Sequence, residues 1–210
     1  MKLYFVRHGE SEANTLHIIS NRDRPHGLTS RGIDQAWALA EQLKDIPFTT
    51  QFASPVLRAR QTAHILSMAF GIPCQVTDAL REYDCGLLED RSDEESWKQH
   101  RQYYNDWMLH RRYEDKPEGG ESFLETRERF LPFIETLSER NDEHILLVGH
   151  GGLFHLMLPL LLTNVDNEFV RQHGLGHTDC VIAERRLDGW QCRRWGDVPF
   201  RYGTIQKEYE

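Results

Sequence analysis

The 210-residue chain has little of what marks a membrane, exported or polyanion-binding protein. Its longest apolar stretch, Leu153 to Leu162, is about half a bilayer span and carries His155, so it reads as a buried helix. The apolar run before Arg7, Leu3 to Val6, is too short for the hydrophobic region of a signal peptide, and a soluble, cytoplasmic protein with no membrane partner is expected. Positive charge is in deficit. A formal net charge of −8 argues against nucleic acid as a partner, although a small phosphate could still bind in a local basic pocket. Cysteine is sparse too: Cys74, Cys85, Cys180 and Cys192 lack the C-x-x-C spacing of a metal or redox site and the density of a disulfide scaffold, so they read as reduced thiols. None of the 11 histidines has zinc-finger or zincin spacing, and neither metal nor cofactor is expected. Repeats and low-complexity tracts are absent as well, which predicts one globular domain over 1–210, fraying only after Tyr202.

What is present is an alternation of strand and helix patterns. Leu3 to Val6 is an unbroken apolar run of the kind found in strands covered on both faces, and it stops at Arg7-His8-Gly9. Thr29 can cap a helix with Ile33, Ala36, Trp37, Ala40 and Leu43 at helical spacing. Phe48 to Ala53 predicts a second strand, and Ser54-Pro55 predicts the start of a helix that ends at Gly71, with Arg58 in its first turn. Ser92 to Arg112 carries Trp97, Arg101, Tyr104, Trp107 and Met108 on one stripe, read as a packing face in a helical insert or cap around 88–118. Ser122 and Glu125 have capping-box spacing ahead of another helix. Ile145 to Val148 is a second buried-strand run, ending in Gly149-His150-Gly151-Gly152 before the Leu153 to Leu162 helix. Val181 to Ala183 and Trp190 to Arg194 suggest strands around an Asp188-Gly189 turn. The pattern predicts an α/β fold with a mainly parallel sheet.

His8 and His150 each follow a buried strand and precede a glycine. Both therefore belong at carboxyl ends of strands, where open α/β sheets bind ligands. Arg7 adjoins the first, and Arg58 enters the same edge at a helix N-terminus, whose free N–H groups favour anions. Two imidazoles and two guanidiniums on one sheet edge outline a phosphate site.

Six co-linear motifs strengthen this reading. They are Phe5-Val6-Arg7-His8-Gly9-Glu10-Ser11 with Asn14; Leu28-Thr29 with Gly32 and Gln35-Ala36; Ser54-Pro55 with Arg58-Ala59 and Gln61-Thr62-Ala63; Leu80 with Glu82 and Gly86; Gly119-Gly120-Glu121-Ser122; and Val148-Gly149-His150-Gly151-Gly152. In this order the chain resembles the histidine phosphatase superfamily, in its phosphoglycerate-mutase-like branch. The resemblance implies a three-layer sandwich whose central sheet is flanked by helices. It also implies His8 as nucleophile, with Arg7, Arg58 and His150 around the transferring phosphoryl group. Asn14 and the Gly151 backbone would hold phosphoryl oxygens, and Glu82 would donate the proton. A neutral imidazole can attack phosphorus in line while fixed guanidiniums meet the oxygens' charge. At about 4 Å and an effective dielectric near 20, each cation is worth up to about 4 kcal/mol before desolvation. Asp84, Glu89 and Asp90 are alternative carboxylates beside Glu82.

Departures from the family pattern bear on substrate. Gly86-Leu87-Leu88-Glu89-Asp90 stands where the family often has Trp-Glu-Gly, and Ile18 to Gly27 lacks the usual small-residue turn; Asn21, Arg22 and Arg24 there read first as solvated loop residues and second as candidate substrate contacts. The expected activity is a phosphomonoester hydrolase of the histidine acid phosphatase type, acting on a small-molecule phosphate ester. The alternatives are a phosphoglycerate mutase-type phosphotransferase and a catalytically inactive phospho-ligand or protein-binding module. Oligomeric state is not encoded in these motifs.

Overall fold

The computed structural model describes residues 1–200, so the tail expected to fray after Tyr202 lies outside the described residues. In chain order the elements are β1 (Lys2–Arg7), α1 (Glu12–Thr15), α2 (Ser30–Leu43), β2 (Thr50–Ala53), α3 (Leu57–Phe70), β3 (Cys74–Val76), α4 (Glu94–His110), α5 (Phe123–Ser138), β4 (His144–Gly149), α6 (Gly151–Leu161), α7 (Asn167–Gln172), β5 (Cys180–Arg186), β6 (Gly189–Trp195) and β7 (Val198–Pro199). The strands form one sheet in the order β3-β2-β4-β1-β5-β6-β7. The first four are parallel, and β5 to β7 extend the far edge antiparallel. Helices cover both faces, giving a three-layer α/β sandwich.

The unbroken apolar runs are explained by this double covering. In β1, Leu3 and Phe5 join Ile145 and Leu147 of β4 against Phe130, Ile134 and Phe154 on one face. Tyr4 and Val6 join Leu146 and Val148 against Leu39, Ala40, Ala63 and Leu66 on the other. Strands β1 and β4 are neighbours in register, with Arg7 opposite Gly149. The residues that follow, His8 and His150, therefore leave the sheet at the same level.

Local capping chemistry sets several helix ends. Thr29 Oγ1 accepts from Gly32 N at 3.0 Å, Ser122 and Glu125 form a capping box, and Gly71 closes α3 at φ 67°. One predicted start is corrected. Ser54-Pro55 does not open α3: Val56 is its N-cap, without a side-chain cap bond, and the helix begins at Leu57. Ser54 still belongs to the strand edge, where its N–H bonds Val148 O at 2.9 Å, and its hydroxyl accepts both from the N-cap residue Val56 at 3.2 Å and from a buried imidazole at 2.8 Å. Arg58 nevertheless falls in the first turn of α3.

Segment 88–118 carries α4, capped by Asp93 rather than starting at Ser92. Its aromatic stripe divides: Trp107 and Met108 enter the core, while Trp97 stays half-buried. Elements α1, β3 and α7, with 4, 3 and 6 residues, are too short to leave a periodicity in the sequence. Among the described residues no helix is long and apolar enough to cross a membrane, and the four cysteines are free thiols.

Candidate active site

The carboxyl ends of β1 and β4 open into a cavity of about 340 Å³. His8, at 3% exposure, lies at its floor. Its Nδ1 lies 2.7 Å from Gly9 O, which can only accept, so Nδ1 carries the ring proton. Nε2 then bears the lone pair, and Arg58 Nε donates to it at 2.9 Å. Burial first, then Arg58, His150 and Arg7, push the His8 pKa well below the usual imidazole value, which keeps the ring neutral and nucleophilic.

His150 is the N-cap residue of α6 and fully buried. Arg58 Nη2 donates to its Nδ1 at 3.2 Å, so its Nε2 carries the proton and donates to Ser54 Oγ at 2.8 Å. Its pKa is likewise pushed well down, by burial first and Arg58 next. To donate from Nδ1 to an incoming oxygen, His150 must change tautomer or gain a proton. The rings of His8 and His150 meet edge to face, with centroids 5.2 Å apart.

Arg58 ties the two histidines together, and its third arm, Nη1, donates to Ser20 O at 2.6 Å. Burial lowers its pKa to about 10, so it remains a cation at neutral pH. Arg7 Nη1 donates to Leu175 O at 2.6 Å and Nη2 to His177 Nε2 at 3.2 Å, while its buried Nε has no hydrogen-bond partner among the described residues. Asn14 commits Oδ1 to Ser11 N and Oγ at 3.1 and 2.8 Å, so a contact with a phosphoryl oxygen would fall to its amide N–H group. Gly151 is the first residue of α6, where backbone N–H groups lack helical acceptors and favour anions.

Glu82 is the one carboxylate lining this cavity among the described residues. Its Oε2 accepts from Gly152 N at 2.9 Å and its Oε1 from Tyr83 N at 3.2 Å. Burial raises its pKa, opposed by Arg58 and by the N–H groups of Tyr83, Gly152 and Leu153. A Cβ at 152 would lie 2.8 Å from both Glu82 oxygens and from Tyr83 Cε1, so a larger residue there must push them aside. The other three carboxylates are engaged elsewhere. Asp84 pairs with Arg22, Glu89 accepts from the Asn21 and Cys85 backbone, and Asp90 pairs with Arg24.

His8, Arg7, Arg58, Glu82, Asn14, Gly151 and Asn21 line the cavity, whereas His150 is buried behind His8 and Arg22 does not reach the wall. Arg22 is drawn away by Asp84 at 2.9 Å and by Gly119 O at 3.1 Å. Asn21 reaches the wall but spends its Nδ2 on Tyr83 O at 3.0 Å. Two residues named in the sequence take other parts: Ser54, expected as a helix cap, holds His150, and Glu89, an alternative carboxylate, braces the Asn21 loop. His177, which touches Arg7, stands in no motif. His177 sits in an irregular segment, so neither a strand end nor a helix pattern marked it.

A family model described as the histidine phosphatase superfamily (branch 1) matches residues 3–198. The adenosylcobalamin/alpha-ribazole phosphatase of Salmonella typhimurium is 32% identical over 164 residues, covering 78% of this chain and 80% of that protein. The "Probable phosphoglycerate mutase GpmB" of Escherichia fergusonii is 31% identical over 210 residues, 94% of each. The solved alpha-ribazole phosphatase from Shigella flexneri superposes with a TM-score of 0.78 at 25% identity, covering 97% of this chain and all of that one. A mycobacterial glucosyl-3-phosphoglycerate phosphatase, solved with VO3, gives a TM-score of 0.79 at 24% identity over 94% and 99% of the two chains, a likeness of fold alone.

Proposed function

The chain belongs to branch 1 of the histidine phosphatase superfamily, and on that premise we propose that it is a phosphomonoesterase working through a phosphohistidine on His8. The observation that carries this is the fixed tautomer of His8: Gly9 O holds the proton on Nδ1, leaving the Nε2 lone pair beside a guanidinium. An incoming phosphate ester would take over the Arg58 contact. Nε2 then attacks phosphorus, the P–N bond forms as the P–O ester bond breaks, and protonated Glu82 passes its proton to the departing alkoxide. Gly9 O, 2.7 Å from Nδ1, stabilises the charge that develops on the ring. In the second half, Glu82 takes a proton from water, the hydroxide oxygen bonds to phosphorus, and the P–N bond breaks. Inorganic phosphate leaves and His8 is neutral again. The four free thiols support a reducing, cytoplasmic setting.

A mutase-type reading is kept by one observation: the relative with a phosphoglycerate mutase name matches 94% of this chain, against 78% for the alpha-ribazole phosphatase. The two readings share the first half-reaction and differ in the acceptor. Rapid base quenching during turnover of a labelled ester should trap label on the peptide containing His8, and inorganic phosphate should accumulate steadily without any added sugar acid. His8→Ala should lose both label and turnover, whereas His150→Ala should be slow but still labelled. Absence of label, with inversion at phosphorus, would mean direct attack by water. Turnover that waits for a sugar-acid acceptor would establish the mutase.

A further inference from the structure

Beyond the phosphate end, the cavity is walled by Ile18, Tyr83, Trp97, His100, His155 and Leu175. Four of these six are rings, and they are fixed in place. Tyr83 and His100 stack with centroids 5.7 Å apart and an interplanar angle of 23°, joined by a 2.9 Å contact between Tyr83 Oη and His100 Nε2. Trp97 stands edge-on to His100 at 5.1 Å, and its Nε1 donates to His17 O at 2.7 Å. A ring held by its neighbours gives up little entropy when a planar ligand stacks on it.

The charge of these walls is equally specific. Burial brings His100 and His155 down to about 4, so both are neutral at physiological pH. Among the described residues the cavity is lined by two guanidiniums, Arg7 and Arg58, and both lie against the histidines at the phosphate end. A bound phosphate dianion matches those two charges and leaves none for a second anion. Arg22, the candidate third cation, is turned outward onto Asp84. Glu82, the proton donor in the proposed reaction, adds no positive charge that could hold a carboxylate there.

We infer that the enzyme selects an uncharged alcohol leaving group bearing a planar aromatic or heteroaromatic ring, with Trp97 and His100 as its specificity-determining residues, and discriminates against esters carrying a carboxylate. This rests on the phosphomonoesterase reading. A buried carboxylate without a cationic partner is heavily penalised, whereas stacking on a fixed ring is favourable and tolerant of ring identity. A cavity of about 340 Å³ has the scale of a small-molecule site, suited to a phosphate plus one ring system.

The test is kcat/KM over alkyl phosphates whose leaving groups do not differ greatly in acidity: benzyl phosphate, a nucleoside 5′-monophosphate, glycerol 3-phosphate, 3-phosphoglycerate and O-phosphoserine, with 4-nitrophenyl phosphate as a generic probe. The ring-bearing esters should exceed glycerol 3-phosphate by about tenfold or more, and the two carboxylates should fall below it. Trp97→Ala should shrink the ring-to-glycerol ratio about tenfold, mainly through KM, and Trp97→Phe should restore it. Active hydrolysis that favours the carboxylates, or a Trp97→Ala loss equal on every ester with no rescue by Phe, overturns this inference alone. No phosphate release from any ester, the generic probe included, overturns the phosphomonoesterase reading and this inference with it.

Discussion

Arg58 Nε lies 2.9 Å from Nε2 of His8, the ring nitrogen whose lone pair faces the cavity. The same guanidinium reaches His150 at 3.2 Å and Ser20 O at 2.6 Å, so one buried cation touches both imidazoles and, after burial, is the next cause of their lowered pKa values.

Removing Arg58 should therefore alter the pH profile as well as the rate. Arg58→Ala should lower kcat/KM by about 10²–10³-fold, the scale of losing one preorganised charge donor. Arg58 is the second cause, after burial, of the low His8 pKa, so its loss makes protonation of His8 easier. The acid limb of kcat/KM should then move to higher pH, since the neutral nucleophile disappears earlier as acid is added. Arg58→Lys keeps the charge without the three-way fork and should lie between. An acid limb that does not move in Arg58→Ala would separate Arg58 from the nucleophile.

Glu82 should matter in proportion to the basicity of the leaving group. Glu82→Gln should cost about 10²–10⁴-fold on an alkyl phosphate and far less on 4-nitrophenyl phosphate, whose phenolate departs unaided. Burial raises the Glu82 pKa, so wild-type activity on alkyl esters should decline only as pH rises through that raised value, and the variant should lack this limb. Gly152→Ala, which would bring a Cβ to 2.8 Å from both carboxylate oxygens, should reproduce the same selectivity by displacing Glu82. Equal losses on both esters would remove Glu82 from the acid role.

Stability should fall with mild acid. His8, His150, His100 and His155 all have folded-state pKa values below the usual 6.5, the last two near 4. Above 6.5 neither state binds these protons and no penalty exists. As pH drops below 6.5 the unfolded chain takes them up while the folded chain resists. For His100 and His155 this continues to about pH 4. Each such histidine removes at most about 1.4 kcal/mol per pH unit within its window. Glu82 and Glu89, raised by burial, act in the opposite sense once pH falls through their raised values, because the folded state then binds protons first. The urea midpoint should therefore be lower at pH 5.5 than at pH 7.5, and His100→Gln should flatten the slope. An unchanged midpoint across that interval would contradict the buried neutral histidines.

The sequence by itself determined the strand runs, most helix caps and the edge on which the site would form. Leu3 to Val6 and Ile145 to Val148 are apolar without interruption because both faces of a parallel sheet are covered, and a chain leaving such a strand must surface at its carboxyl end, where Arg7, His8 and His150 stand. That information is local, so it could be read from spacing. The register that puts Arg7 opposite Gly149, and hence His8 beside His150, arises from a pairing across some 140 residues. Only tertiary packing could decide that Ser54 would hold His150, since a hydroxyl bonds whatever buried group lies nearest. The same holds for Arg22 and Asn21. Their side chains were free in the sequence to reach a substrate, but Asp84 and the Tyr83 carbonyl were closer once the loops had closed. Trp97 belongs to a packing stripe in the sequence, and only the placement of α4 in the fold puts its ring at the cavity wall.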